Sequence, residues 1–219
     1  MPARVAEAIQ AMIAERNLKA GDQLPSQREL THMLHASRPS IREGISMLET
    51  LGIVSVEVGR GVYVSERGGG SPADRWRFSR DHSLREVYQF RAALEPAALA
   101  LAAPRLSAGD IVAMRAGAEA LLEAAQAGNA VGAAEQDTLF HDLIYQRCGN
   151  RIFREIQAQM RQAMQDSQWV PMVIIERVHD TASEHLMIVE ALEAGDTAGA
   201  CAALANHIRA AAARCDIRL

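Results

Sequence analysis

The sequence predicts a mainly α protein: an N-terminal winged helix-turn-helix followed by a C-terminal all-α bundle of six or seven helices. Three observations predict it. Apolar residues recur at helical spacing over most of the chain. One stretch, "IVSVEVGRGVYVS" (53–65), instead reads as two short strands joined around Gly59-Arg60-Gly61, which is hairpin chemistry. The run "SERGGGSPADRWR" (65–77) continues neither pattern, because three glycines and a Ser-Pro favour neither helix nor strand. The expected division is a winged helix-turn-helix domain over 1–66, a hinge over 67–80 and an all-α domain over 81–219.

Each element has a local cause. Val5, Ala8, Ile9, Met12 and Ile13 fall on one face of a first helix. Ser26 can cap a second, with Glu29 completing a capping box. Ser37 can cap a third, with Pro39 in its first turn, where a missing N–H costs little. Gly52 ends that helix. Beyond the hinge, helical stripes cover 83–103, 108–127, 130–147, 151–168, 181–194 and 197–216, with Pro171 interrupting between the fourth and fifth. Gly195 stops one helix and Asp196 can cap the next.

Bulk properties narrow the function. Aromatics are scarce, at 4%, and alanine is plentiful, which favours helix. The net charge is −4, so the chain is no polycation. No apolar run is long enough to span a bilayer, and the N-terminus lacks a secretory h-region. The 3 cysteines are an odd number at no metal-like spacing, as expected of reduced thiols. A cytoplasmic protein is expected, with no membrane partner.

In a helix-turn-helix the third helix enters the major groove, N-terminal end first. That end presents Ser37, Arg38, Pro39, Ser40 and Arg42. An arginine fork can bond O6 and N7 of guanine or clamp a phosphate. Arg28 opens the second helix and Arg60 tips the hairpin, where either can reach the flanking backbone. Residues 1–66 hold 7 Lys/Arg against 8 Asp/Glu, so bulk attraction does not account for a grip on DNA. Distribution does, because the outline places these arginines on one surface and most acids (Glu7, Glu15, Glu49, Glu57) elsewhere, although Glu29 and Glu43 sit beside the arginines.

The stretch "GDQLPSQRELTHMLHASRPSIREGISMLETLGIVSVEVGRGVYV" resembles the N-terminal domain of the GntR family of bacterial transcriptional regulators. The matching pieces are Leu24-Pro25-Ser26 with Arg28-Glu29-Leu30, Ser37-Arg38 with Ile41-Arg42-Glu43, Leu48-Glu49 with Leu51-Gly52, and Gly59-Arg60-Gly61. The resemblance implies that Arg28, Arg38, Ser40, Arg42, Gly59 and Arg60 contact operator DNA. Many members have Gly-Val where this chain has His35-Ala36. A positive φ there would come at some cost to His35.

The helical part carries a second constellation. Asp137 and His141 are four apart, hence on one helix face, with Phe140 and Ile144. His185 shares a stripe with Ile188, Val189 and Leu192, and His207 shares one with Cys201, Leu204 and Ala211. A single histidine on such a stripe is ordinarily a hydrogen-bonded core residue. Four polar groups would each need a buried partner, and one shared cation satisfies them all. His/carboxylate ligation suits zinc, nickel or another divalent transition metal such as manganese. Arg91 also lies on an apolar stripe (Leu84, Val87, Tyr88, Leu94, Ala98, Leu101) and needs an anion. Two readings stand: an intrahelical pair with Glu95, or receipt of a ligand carboxylate.

"FRAALEPAALALAA", "DTLFHDLIYQRCGN", "EHLMIVEALEAGD" and "ALANHI" are similar to the FCD effector domain of the FadR-type branch of that family. The resemblance implies a metal held by Asp137, His141, His185 and His207, and an effector cavity lined by Arg91. Cys148 stands where serine is frequent. Members of the branch sense lactate, pyruvate, sugar acids or citrate. The acyl-CoA-binding namesake lacks this metal set, which disfavours a fatty-acyl effector.

The expectation is a homodimeric regulator, a repressor by family habit, that binds a palindromic operator in double-stranded DNA and answers to a small carboxylate. It is not expected to be an enzyme. A metalloenzyme using Glu184 or Asp142 as base is the first rival, without an HExxH-type arrangement to support it. A metal that only staples the bundle is the second.

Overall fold

The structure, a computed structural model, describes residues 2–66, 73, 76, 78, 81–173 and 177–219. The expected hinge glycines at 68–70 lie outside the described residues. Three helices open the chain: α1 (Pro2–Glu15), α2 (Gln27–Met33) and α3 (Arg38–Thr50). Their ends follow the local chemistry. Ser26 and Glu29 form a reciprocal capping box, and the Ser37 side chain accepts from Ser40 N. Gly52 takes φ 67° just past α3. The buried face of α1 is Val5, Ala6, Ile9 and Met12, so Ala6 takes the place expected of Ala8. Gly44 allows α1 to lie close against α3, since a Cβ there would meet Val5 Cγ1 at 2.8 Å.

The wing is an antiparallel pair, β1 (Val54–Glu57) and β2 (Gly61–Val64), with Val54 opposite Val64 and Glu57 opposite Gly61. Its turn uses Gly59 at φ 77° and Gly61 at φ 138°, values that side-chain-bearing residues avoid.

Six longer helices follow among the described residues: α4 (Leu84–Ala102), α5 (Ala108–Gln126), α6 (Ala130–Arg147), α7 (Arg151–Trp169), α8 (Val178–Glu193) and α9 (Thr197–Arg214). The expected break at Pro171 is a 3₁₀ turn, Val170–Val173. Helix α8 begins about a turn earlier than its apolar stripe suggested. None of the described helices is long and apolar enough to cross a membrane.

Apolar packing does not stop at the expected domain boundary. One cluster fills the bundle around Tyr88, Leu99, Ile144, Ile188 and Leu204. The second joins Ile9, Leu30, Ile41 and Leu48 to Val131, Ala134 and Trp169 of the bundle. Gln10 on α1 closes the seam. Its Nε2 donates to Gly128 O at 2.7 Å, and its Oε1 accepts from Val131 N at 3.2 Å. Both partners belong to the turn that enters α6, so the first helix of the chain caps the helix that carries Asp137 and His141.

His35 adopts φ 48°, in the turn between α2 and α3. The left-handed conformation costs an ordinary residue about 1–2 kcal/mol, partly offset by the greater chain entropy that glycine loses. His35→Gly is therefore expected to stabilise the protein by about 0.5–1 kcal/mol, read as a higher urea midpoint at unchanged slope.

Candidate metal centre and nucleic-acid interface

Helix α6 supplies two of the four residues because Asp137 and His141 lie one turn apart on its buried face. Helices α8 and α9 contribute His185 and His207 from theirs. All four are buried, and one ligand atom from each lies within 4.8 Å of the others. His141 Nε2 is 3.3 Å from His207 Nε2, and His185 Nε2 is 3.3 Å from Asp137 Oδ1. Both separations match the ~3.3 Å edge of a tetrahedron with ~2.0 Å bonds to its centre. Asp137 Oδ1 and both His185 ring nitrogens have no hydrogen-bond partner. Buried imidazole and carboxylate atoms that converge with so few hydrogen bonds are the ligand set that suits a divalent cation.

Carboxylates flank two of the rings on the far side. His207 Nδ1 lies 2.7 Å from Glu184 Oε2. Arg214 grips the same carboxylate with both terminal nitrogens, at 2.8 and 2.9 Å. His141 Nδ1 lies 2.6 Å from Glu95 Oε2, although the two are not aligned as a hydrogen bond. His185 instead stacks on Phe140, with ring centroids 3.9 Å apart and planes 10° from parallel.

The charges follow from these neighbours. Burial alone raises a carboxylate, but the hydrogen bonds from His207 and Arg214 prevail and hold Glu184 down to about 2. Glu95 is likewise held at about 2 against its burial by Arg91 and His141. Burial presses His207 down to about 4, more strongly than Glu184 lifts it. His185 is lowered for the same reason, with Asp137 opposing.

Arg91 faces the interior, as its stripe required, and is fully buried. The stripe itself runs through Leu99 and Ala102, whereas Leu94 is half-buried and Leu101 exposed. Arg91 Nε donates to Glu95 Oε1 at 2.6 Å and Nη1 to Ser167 Oγ at 3.1 Å. The intrahelical pair is therefore formed. Nη2 faces His141 Nε2 at 3.5 Å and keeps donor capacity toward the cluster. Ser167 and Arg214 were not anticipated as parts of this centre, while Glu95 was weighed only as a partner for Arg91 and Glu184 only as a base. The only local signals were that Glu184 precedes His185 and that Arg214 follows His207 by two helical turns.

On the N-terminal helices Arg28, Arg38 and Arg42 are exposed and line one cleft of about 1350 Å³. Its opposite wall is α7 and the residue that ends it, with Arg161, Gln162, Gln165 and Trp169. Ser40 is half-buried and turns its hydroxyl to Ser37 Oγ at 2.9 Å. Gly59 and Arg60 stand exposed at the wing and do not line the cleft. Arg60 pairs with Glu57, an acid expected to lie away from the arginines. So three of the four arginines are brought together, and the fourth is set apart on the hairpin.

A winged helix with exposed arginines on its reading helix, packed against a helical bundle with a buried polar centre, defines a ligand-responsive DNA-binding regulator. The chain belongs to the gntR family of bacterial regulatory proteins, whose description matches residues 2–64, and residues 86–210 match the FCD domain. It is 30% identical over 211 residues to the Uxu operon transcriptional regulator of Escherichia coli K12, covering 91% of this chain and 80% of that one. It is 28% identical to the putative L-lactate dehydrogenase operon regulatory protein of the same strain, over 93% of this chain and 82% of that one. A solved structure of a putative transcriptional regulator GntR from Rhodococcus sp. RHA1 shares the fold, with a TM-score of 0.56 at 20% identity, over 97% of this chain and 95% of that one.

Removing one member of a buried ion pair strands the other. Glu95→Ala leaves the Arg91 guanidinium without its carboxylate in a site with no exposed surface. It is expected to destabilise the protein by about 3–5 kcal/mol in urea unfolding.

Proposed function

We propose that this regulator binds its operator as a homodimer and that a small carboxylate, held at a divalent cation in the bundle, controls the binding. The observation that carries the reading is the convergence of four buried side chains on one point, with Asp137 Oδ1 and His185 Nε2 left without a hydrogen-bond partner. Asp137, His141, His185 and His207 would hold the ion, with zinc first and nickel or manganese as the other candidates. Its chemistry is Lewis acidity toward an anionic oxygen.

Charge balance supports a carboxylate. Around the four-residue centre, Arg91 and Arg214 stand against Glu95, Asp137 and the half-buried Glu184, a net of one negative charge with neutral imidazoles. A dication reverses that to one positive charge, which a monoanion neutralises. Arg91 Nη2 is the donor left to receive it. The relative named for an L-lactate dehydrogenase operon is consistent with an effector of this class. Turnover has no support in the placement of the candidate bases. Both oxygens of Glu184 are engaged, and Asp142 is bound by Gln157 and Arg161.

In the operator complex Arg28, Arg38, Ser40 and Arg42 read the major groove and its phosphates, while Gly59 and Arg60 follow the backbone beside it. Residues 1–66 act as the DNA-binding domain, 81–219 as the sensor and 67–80 as the link, in the cytoplasm. The cleft between the reading helix and α7 supports reading this arrangement as the DNA-free one, because a duplex would have to displace the α7 wall. Ligand binding that favours this arrangement releases DNA, which is repression relieved by its effector.

Gel shifts and metal analysis test the reading. Arg38→Ala and Arg42→Ala are expected to weaken operator binding by about 1–3 kcal/mol each without lowering the melting temperature. His141→Ala is expected to lose the bound metal and the response to carboxylates, while apo-level operator binding remains. If no small carboxylate changes operator affinity of the metal-loaded protein, effector control is refuted. The near-complete enclosure of the cluster favours one second reading, a metal that only staples α6, α8 and α9. A lower melting temperature with an intact ligand response in His141→Ala would establish it.

A further inference from the structure

The three histidines of the cluster are not equivalent. His207 is braced from behind by Glu184, and that carboxylate is braced by Arg214. His141 stands against Glu95 in the same order, with Arg91 behind it. His185 has no such chain: its Nδ1 is buried without a partner and its ring is fixed by stacking on Phe140.

The Glu184 chain is built by sequence spacing across two helices. Glu184 precedes His185, so α8 sends one side chain to the cluster and the adjacent one to α9. His207 and Arg214 are seven apart on α9, two turns along the same face, so one carboxylate can bridge both. Arg214 lies in the last helical turn, where a cation suits the exposed carbonyls. Its planar fork occupies both Glu184 oxygens and leaves the carboxylate little rotational freedom.

A neutral imidazole carries one N–H. When a carboxylate faces Nδ1, that nitrogen keeps the hydrogen and Nε2 presents its lone pair. His207 Nε2 is the atom that meets His141 Nε2 at 3.3 Å, inside the cluster. Placed on Nε2 instead, the hydrogen would block the atom that a cation needs.

We propose that Glu184, clamped by Arg214, is a positioning residue that fixes the tautomer and ring orientation of His207 and thereby sets the affinity of the metal centre. The inference rests on the reading that the four-residue cluster holds a divalent cation. Glu184 does not touch the ion, since its oxygens are taken by His207 and Arg214. It acts through His207. The rival role is a structural staple between α8 and α9, which would change stability and leave metal affinity alone.

The test uses the full chain, stripped with a chelator. Zinc affinity is measured by competition with a chromogenic chelator, Co²⁺ absorption is recorded in the visible, and melting temperatures are taken with and without zinc. Glu184→Gln is expected to bind zinc about 10–100-fold more weakly and to alter the Co²⁺ spectrum. Arg214→Lys, which keeps the charge but loses the fork, should shift affinity in the same direction by less. Unchanged zinc affinity and Co²⁺ spectrum in Glu184→Gln overturn the proposal, whatever happens to the melting temperature of the stripped protein. If Glu184→Gln does not fold, Arg214→Lys decides, and wild-type affinity in that variant overturns the proposal. Wild-type protein that binds none of zinc, nickel or manganese fails at the earlier step, and the metal reading falls with the relay.

Discussion

A carboxylate and three imidazoles that turn their acceptors toward one another in a dry interior form an arrangement that an apolar core cannot leave unresolved. The sequence invests four helices in it. Asp137 and His141 come from α6, His185 from α8 and His207 from α9, while Arg91 and Glu95 of α4 close one side. The aromatic and aliphatic residues around them are ordinary core, and they would pack in several neighbouring registers. The polar centre permits one, because a shift of a single residue along α6 would carry Asp137 and His141 out of reach of the other two. The registry of the sensor bundle therefore depends on a point a few ångströms across.

That point is also mechanically close to the DNA-binding helices. Helix α6 starts against α1, where Gln10 satisfies backbone groups of its entry turn, and reaches Asp137 within two turns. The Trp169 indole donates to Ala134 O and Thr138 Oγ1 of the same helix. Its ring belongs to the apolar cluster shared with α1 and α3, and it lines the cleft beside Arg38 and Arg42. A change at the centre that moves α6 cannot leave both contacts as they are. Coupling on this view needs no long pathway, only a helix with one face in each unit and two packed arrangements of different ligand affinity.

Much of this was legible in the sequence, for reasons that separate the legible from the hidden. Asp137 and His141 share a face because four residues is close to one turn, and the capping boxes at Ser26 and Ser83 are contiguous in sequence. Arg91 could be assigned to the interior but not to a partner, since a residue four positions on and a bound anion are equally available to periodicity. The packed structure shows the first, with Nε on Glu95, and leaves Nη2 facing His141 of the cluster. The stripe on α4 was misplaced by part of a turn because alanines and leucines surround that helix, and only packing selects Leu99 over Leu101. Glu184 with Arg214, and Gln10 with Gly128, are contacts between segments 30 and 118 residues apart. Apart from Glu184 preceding His185 and Arg214 following His207 by two turns, nothing local announces them. Glu57 was assigned away from the arginines by the outline of the fold, and the tightness of the wing turn brings it to Arg60.

The near neutrality of the DNA-binding helices fits control from such a centre. A strongly basic domain draws most of its affinity from counterion release, which persists on any sequence and in any orientation of the two reading heads. A regulator of that kind would need a large free-energy change to be dislodged. Residues 1–66 carry one more acid than base, and the grip is left to a few arginines that must be placed correctly. Coupling free energies between sites are about 1–3 kcal/mol. That is roughly the worth of one well-made arginine–base contact. On the proposed reading of a dimer controlled from this centre, a small displacement of α6 in both subunits is then enough to change occupancy of the operator. Neutrality in the reading head and economy in the sensor are the same design constraint seen from its two ends.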